Sequence, residues 1–355
     1  MASAITSAFD FNQEELKDIS EIIGERFYTN PQIASLHDIE QGVKYNKQIV
    51  FAGKKGLVAS AMTGCTPNEI DGIVFTEKTW TPVDHDFRLP HCSADVNAQD
   101  KLLRQFARMN PDFYNVLEGS NSSVGNFLIA FVEDALMQDI IWKTWFSDTA
   151  ADIQGNGGEF VDTVDIDRIN TFDGFFKQLE AAVASEGLSR QEIAKNAEAS
   201  FAAQALAANE GLEILRGMYE KADSRLIADP NKKFMVTRTI YDNLLTTYEE
   251  RESNGGLLTR LENGGGLAFR GVEVVNMATV WDVFIDTYLN DGTARVNPHR
   301  ALLTIPTNIP LGTVNDADFI TLDAFYDKKD KTNYVDAAFN LDVKFLEAYL
   351  GVVAY

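Results

Sequence analysis

The stretch from residue 231 to residue 312 constrains the fold most, because short apolar runs and one helical pattern alternate there with turns. Apolar side chains recur at helical spacing from Ile240 to Tyr248, and Thr237 or Thr239 is suited to cap that helix. Apolar, β-prone runs predict strands at 234–236, 267–275 and 301–305. The stretch therefore predicts a small α/β layer.

The rest of the chain also mixes helical and strand patterns. Helices are predicted at 13–28, 97–109, 124–147, 171–187, from Ser189 through Ala208, and at 212–222. Short β-prone pieces occur at 48–51, 73–75, 79–83 and 87–89, and a hairpin is predicted from 318–327 with 334–339. Pro82 and Pro90 favour edge strands over a sheet interior. The fold class indicated is α+β.

The composition indicates a folded protein that avoids nucleic acid. The chain has 355 residues, of which 45% are hydrophobic and 11% aromatic, enough for a sizeable core in two lobes or one elaborated domain. Acidic residues outnumber basic ones by 53 to 31, which gives a net charge of −22. Phosphate binding needs clustered Lys and Arg, so direct DNA recognition is not expected. The acidity either keeps the protein soluble or lines a compartment through which DNA slides.

No targeting or membrane segment is expected. The first residues lack the basic and apolar regions of a signal peptide, and no apolar stretch is long enough to span a bilayer. An anionic surface also opposes anionic membranes. The two cysteines, Cys65 and Cys92, fit a reducing cytoplasm and are expected to be free thiols.

The sequence offers no convincing catalytic, cofactor or metal site. His85, His91 and Cys92 are close together, but with Cys65 they lack the paired spacing of a zinc site. Adjacent His91 and Cys92 would point to opposite faces of a strand, so they could not act as base and nucleophile there. The glycine clusters at 255–256 and 264–266 match no phosphate-binding motif. We therefore expect no enzyme, no cofactor and no metal.

Several phrases, in this order, resemble the major capsid proteins of tailed double-stranded-DNA bacteriophages, the Hong Kong 97-like fold. They are "KYNKQIVFAG", "EKTWTPVDHDFRLPHC", "FDGFFKQLEAA", "FMVTRTIYDNLL", "LAFRGVEVVNM", "PHRALLTIPTNIPLGT" and "YVDAAFNLDVKFLEAYLGVVAY". The resemblance spans nearly the whole chain and rests on pattern and order, since no short invariant motif defines the family.

The resemblance implies how the chain is divided. The expected parts are an N-terminal arm (1–47), an extended β-hairpin loop (48–95), a peripheral domain (96–195) with a long spine helix (124–147), an axial α/β domain (196–315), and a C-terminal hairpin (316–355) that returns to the peripheral domain. Some family members cross-link a Lys to an Asn; Lys54, Lys55 and Lys78 lie in the corresponding region, but no partner is identifiable.

The resemblance also implies a function and partners. The chain would self-assemble into hexamers and pentamers of an icosahedral capsid around DNA, as a structural virion protein assembled in the host cytoplasm. Portal, scaffold and decoration proteins would be its other partners. A nanocompartment subunit like the encapsulins shares the fold and is the alternative. A soluble hydrolase is an alternative of another class, and it would need a catalytic constellation that the sequence lacks.

Three aromatic residues are candidate contacts between subunits: Trp80, Phe87 and Phe27. Trp80 and Phe87 have few apolar neighbours nearby in the sequence, and interfaces favour aromatic residues. The alternative is that Trp80 and Phe87 belong to a small satellite core. Phe27 lies in the predicted arm helix, which in the resembling family runs along neighbouring subunits.

Overall fold

The computed structural model describes residues 13–52, 75–92, 123–251, 258–260, 266–314, 320–327, 329 and 332–355. The described α-helices are α1 (Gln13–Thr29), α2 (Pro31–Ala34), α3 (Ser123–Phe146), α4 (Phe175–Ser185), α5 (Phe201–Gln204), α6 (Glu210–Lys221), α7 (Ser224–Ala228), α8 (Arg238–Arg251) and α9 (Val283–Tyr288). The described strands are β1 (Ile39–Glu40), β2 (Gln48–Ala52), β3 (Phe75–Thr79), β4 (Val83–Cys92), β5 (Ser189–Gln191), β6 (Lys233–Val236), β7 (Leu258–Arg260), β8 (Leu267–Phe269), β9 (Val272–Asn276), β10 (Ala301–Thr304), β11 (Leu311–Gly312), β12 (Ile320–Asp327), β13 (Thr332–Val343) and β14 (Gly351–Ala354). The predicted helix at 97–109 lies outside the described residues.

A seven-stranded mixed sheet has the order β5-β14-β10-β6-β9-β8-β7. The predicted strands at 234–236 and 301–305 are its β6 and β10, which pair antiparallel. The predicted run at 267–275 is confirmed as the hairpin β8–β9. Its turn places Arg270 and Gly271 at positive φ, and glycine adopts that conformation without a steric cost.

The middle strands β14, β10 and β6 of this central sheet are buried on both faces, so successive residues of one strand enter different cores. In β10, Leu302 shares a core with Trp145 of α3 and with Trp281, whereas Leu303 shares a second core with Leu215 of α6 and Leu244 of α8. Strands that are buried on both faces are apolar along their whole length. This explains why the strand runs in the sequence are continuous and do not alternate.

A second sheet is built on the long strand β13, which pairs antiparallel with β4, β12 and β11. The hairpin predicted from 318–327 and 334–339 is confirmed as β12–β13, in which Ile320 lies opposite Phe339. Within the described chain β4 pairs with β13 alone, so its Pro90 lies in an edge strand, as predicted.

Two helices cover one face of the second sheet. The predictions at 13–28 and 124–147 are confirmed as α1 and α3, whose Ile23 and Leu136 share a core with the inward side chains of β12 and β13. Helix α3 has 24 residues and is therefore about 36 Å long. Its Trp145 also packs in the core beneath the central sheet, so α3 connects the two sheets.

The alanine-rich helix predicted from Ser189 through Ala208 is wrong. Residues Ser189–Gln191 form β5, which pairs in parallel with β14 and places Ser189 opposite Val352. Only short helical turns follow, and Ser200 caps α5 by accepting a hydrogen bond from the Ala203 amide. Pairing with a distant strand outweighs the helix propensity of alanine here.

The strands also cross the expected division into parts. Strand β5 comes from the expected peripheral domain and β14 from the expected C-terminal hairpin, yet both pair within the same sheet as the strands of 196–315. Strand β1, from the expected arm, pairs with β11. Long-range pairing therefore connects the expected parts, and the division into these parts stays a prediction.

Candidate assembly surfaces

The hairpin β2–β3 stands apart from both sheets. Within the described strands, β2 and β3 pair only with each other, from Gln48 opposite Thr79 to Ala52 opposite Phe75. A two-stranded hairpin is marginally stable in water, so its attachment to the rest of the subunit is decisive. The segment 53–74 of the expected extended loop lies outside the described residues.

Trp80, the residue that follows β3, holds the base of this hairpin against the rest of the subunit. We call this base the hairpin root. Its side chain is fully buried, and its ring lies against Gly312 of β11, where an added Cβ atom would come within 2.7 Å of the ring. The indole Nε1 donates a hydrogen bond of 3.2 Å to Glu40 Oε2, and Lys47 Nζ lies 2.6 Å from the other oxygen of that carboxylate. The Trp80 amide donates to Lys47 O, and the Asn46 amide donates to Trp80 O.

Lys78 and Thr81 provide further attachments on either side of Trp80. Lys78 Nζ lies 3.0 Å from both carboxylate oxygens of Glu186 and donates a hydrogen bond of 2.8 Å to Phe345 O. The Thr81 amide donates to Asp342 Oδ2 at 2.6 Å. Burial raises the pKa of the Asp342 carboxyl, an effect that the nearby Lys344 ammonium opposes. The hairpin root is thus connected to the end of α4 and to β13.

The three aromatic residues singled out in the sequence occupy different environments. Trp80 and Phe27 are both 0% exposed, and Phe27 belongs to the core between α1 and the second sheet. Burial favours the satellite-core interpretation of Trp80. A direct contact of Trp80 or Phe27 with a neighbouring subunit stays a prediction that requires the side chain to leave this interior. Phe87 is partly exposed at the edge of the same core, and its contact with a second subunit also stays a prediction.

Sequence reasoning missed the most exposed apolar side chain of the described residues. Four large apolar residues are exposed there: Tyr45, Phe201, Val283 and Val314. Tyr45 is the most exposed of the four, at 69%, and it lies between Lys44 and Lys47 in the turn before β2. An aromatic residue between two lysines just before a strand was the available signal. The partners of Trp80, namely Glu40 and Gly312, were also missed.

Three of the described histidines, His37, His85 and His299, are buried. Burial lowers the pKa of His37 and of His85 to about 4, and it also lowers the pKa of His299. The His37 ring stacks on Phe175 at 5.2 Å, and the His85 ring stacks on Phe339 at 4.8 Å. Across the described residues, no cluster of three or more His, Cys, Asp or Glu could hold a metal ion. Cys65 lies outside them.

The described helices also include none with the length and apolar character needed to cross a membrane.

Comparison with known proteins finds similarity at the level of structure only. No family model and no curated protein matches this sequence. A chain in the procapsid of satellite phage P4, a structure that includes the size determination protein Sid, matches with a TM-score of 0.51 at 9% identity, over 94% of this chain and 98% of that one. A chain of Gordonia phage Cozz matches with a TM-score of 0.51 at 11% identity, over 91% and 85%. The capsid of the native GTA particle matches with a TM-score of 0.52 at 9% identity, over 91% and 89%.

These matches establish the fold. Identity does not exceed 11%, yet the alignments cover almost the whole of each chain. The mixed helices and strands described above therefore form a Hong Kong 97-like capsid fold, as the sequence phrases implied.

Proposed function

We propose that the chain is a major capsid protein of a tailed bacteriophage, which self-assembles into hexamers and pentamers of an icosahedral shell around double-stranded DNA. The observation that carries the proposal is the extent of the structural match, which includes 98% of the P4 procapsid chain and 89% of the GTA capsid chain. A match of this extent involves the whole architecture and not a single shared module. The hairpin that stands apart from the sheets supports the same conclusion, because it needs a surface on which to dock.

The charge of the chain fits a container for DNA. A net charge of −22 opposes binding to phosphates, so the shell would enclose DNA without recognising its sequence. The protein is a structural component of the virion and not an enzyme. Portal, scaffold and decoration proteins are its proposed partners, and the host cytoplasm is the proposed place of assembly.

Electron microscopy of the purified chain tests the proposal. Expressed alone or with a scaffold, the protein should form closed particles or capsomers, and light scattering should report masses many times the 39.4 kDa of one chain. A stable species of 39.4 kDa over a wide concentration range would contradict the proposal.

The contents of particles isolated from their natural source distinguish a capsid from a nanocompartment of the encapsulin type. Nuclease-resistant DNA inside the particles is expected for a capsid. A packaged enzyme in place of DNA would assign the nanocompartment function.

A further inference from the structure

The second sheet has one face that the described helices leave open. In β13, Val335 and Ala337 point into the core beneath α1 and α3, so the alternate residues Tyr334 and Asp336 point to the opposite face. The register places Phe325 of β12 opposite Tyr334 on this face, and both side chains are partly exposed there. An open sheet face with aromatic side chains is a surface suited to docking.

The aromatic side chains form a cluster around one guanidinium. The Arg88 guanidinium carbon lies 5.6 Å from the centre of the Phe325 ring and 5.3 Å from the centre of the Tyr334 ring, and the two ring centres are 5.5 Å apart. Asp336 holds the guanidinium in place, with Arg88 Nε 2.7 Å from Asp336 Oδ1. We name this cluster of Arg88, Phe325, Tyr334 and Asp336 the aromatic end of the sheet.

An exposed carboxylate lies beside the aromatic end. Asp323 is exposed and lies directly opposite Asp336 on the neighbouring strand. Like charges in directly opposite positions destabilise a sheet, and the Arg88 guanidinium is bonded to Asp336. The aromatic end and Asp323 together therefore complement a ligand that carries an aromatic ring next to a cation.

Such a group is exposed elsewhere on the same chain. The turn Lys44-Tyr45-Asn46-Lys47, which we name the KYNK turn, presents Tyr45 at 69% exposure beside the exposed Lys44. The turn is fixed, because the Lys47 amide donates to Lys44 O and the Asn46 amide donates to Trp80 O, each at 2.9 Å. The backbone of the turn is therefore fixed before binding, so only the side chains of Tyr45 and Lys44 lose conformational freedom when a partner binds.

The two surfaces lie toward opposite ends of β4. The KYNK turn is bonded to Trp80, just before β4 begins at Val83, whereas Pro90 near the other end of β4 is in register with Tyr334 of the aromatic end. Seven residues of extended strand span about 20 Å, which is too far for the two surfaces of one chain to meet. A second copy of the chain can supply the missing partner.

We propose that the KYNK turn of one subunit docks on the aromatic end of the next, with Tyr45 against Phe325 and Tyr334, and with Lys44 paired to Asp323. The proposal rests on the proposed function as a shell subunit. The contact is head-to-tail, since it joins two different surfaces, and such contacts close into rings when the rotation between subunits allows it. A ring of capsid subunits is an assembly of this kind.

Charge exchange tests the contact. Lys44→Glu, Asp323→Lys and Tyr45→Ala should each lower the yield of assembled particles at least about tenfold, as expected for the loss of a central interface contact. The double variant Lys44→Glu/Asp323→Lys should restore assembly. An equimolar mixture of the two single charge variants should recover hexamers, because the two variants can alternate around a six-membered ring so that each meets the opposite charge on its neighbour. Particles are counted by electron microscopy and sedimentation.

The control is Arg168→Glu, which makes the same charge change at a side chain that is 79% exposed at the end of a short 3-10 helix elsewhere in the chain, and it should assemble normally. Circular dichroism must show each variant to be folded. Normal assembly of the single variants, or failure of the double variant and of the mixture alike, overturns the proposed contact while leaving the capsid function intact. Failure of the unaltered chain to assemble overturns both.

Discussion

At the scale of single residues, the contact between Gly312 and Trp80 allows a sharp test of the hairpin root. A Cβ atom on Gly312 would lie 2.7 Å and 2.8 Å from two carbons of the Trp80 ring, which the hydrogen bond to Glu40 holds in place. Gly312→Ala should therefore lower the free energy of unfolding by about 1–3 kcal/mol in urea denaturation. Gly24→Ala, inside α1 with nothing within 4 Å of the added Cβ, should raise it by about 0.5–1 kcal/mol. Equal effects of the two changes would contradict this account.

Replacing Trp80 should lower the stability of the isolated subunit, and not only its ability to assemble. Its ring is 0% exposed, and truncation of a buried Trp leaves a cavity, so Trp80→Ala should cost about 3–5 kcal/mol of subunit stability. Phe87→Ala is the matched comparison, because that ring is only partly buried and should cost less. Chemical denaturation of the dissociated subunit measures both. A Trp80→Ala subunit of normal stability that fails to assemble would restore the interpretation of Trp80 as an intersubunit contact.

The buried histidines should make the subunit less stable in mild acid. Burial lowers the pKa of His37 from 6.5 to about 4, so between these values the unfolded chain binds a proton that the folded chain excludes. The stability contributed by neutral His37 is therefore present above pH 6.5 and is lost as the pH falls toward 4, by about 1.4 kcal/mol per pH unit. His37→Phe keeps a ring against Phe175 and should reduce the slope of unfolding free energy against pH by that amount. An unchanged slope would be evidence against a neutral His37.

These residues also show why the hairpin root could not be located from the sequence. Trp80 was visible as a large apolar side chain without local neighbours, but its environment comes from distant strands. The Thr81 amide and the Asp342 carboxylate that receives its hydrogen bond are 261 positions apart. A pattern of apolar residues within a short stretch cannot indicate a contact between such distant residues. Helices such as α1 and α3 could be predicted, because their apolar residues recur at helical spacing within one stretch.

At the scale of elements, the hairpin β2–β3 depends on the ion pair at its base. Lys78 Nζ is bonded to Glu186 and to Phe345 O, which ties the end of β3 to the body of the subunit. Lys78→Met keeps the aliphatic stem and removes the charge. The amides of β2 and β3 should then exchange hydrogen faster, while the amides of β6 and β10 in the central sheet should not change. Hydrogen exchange with mass spectrometry measures both sets, and unchanged exchange in the hairpin would show that the root is held without the Lys78 ion pair.

Some helices and strands could be predicted from the local pattern of apolar residues, and others could not. Helices α1 and α3 and strands β6 and β10 were predictable, since each carries its own apolar period or run. Strand β5 was not, because its residues follow a helix pattern and become a strand only by pairing with β14. The same holds for the aromatic end, which the register of three strands assembles from residues far apart in the sequence.

At the scale of the whole molecule, the central sheet joins two hydrophobic cores into one structure. Three of its inner strands send neighbouring residues to opposite cores: Met235 and Val236 in β6, Leu302 and Leu303 in β10, and Val352 and Val353 in β14. Neither core can lose its strands without opening the other. The subunit should therefore unfold as one unit in spite of its length.

Adjacent residues of β10 test this coupling. Leu302 and Leu303 are both 0% exposed, but Leu302 lies in the core with Trp145 and Trp281 and Leu303 lies in the core with α6 and α8. Leu302→Ala and Leu303→Ala should each cost about 2–5 kcal/mol. In both variants tryptophan fluorescence and far-ultraviolet circular dichroism should report the same shifted unfolding transition, because packing lost on either face of the sheet destabilises the whole subunit. If Leu303→Ala lowered the midpoint seen by circular dichroism and left the tryptophan transition unchanged, the two cores would be separate folding units.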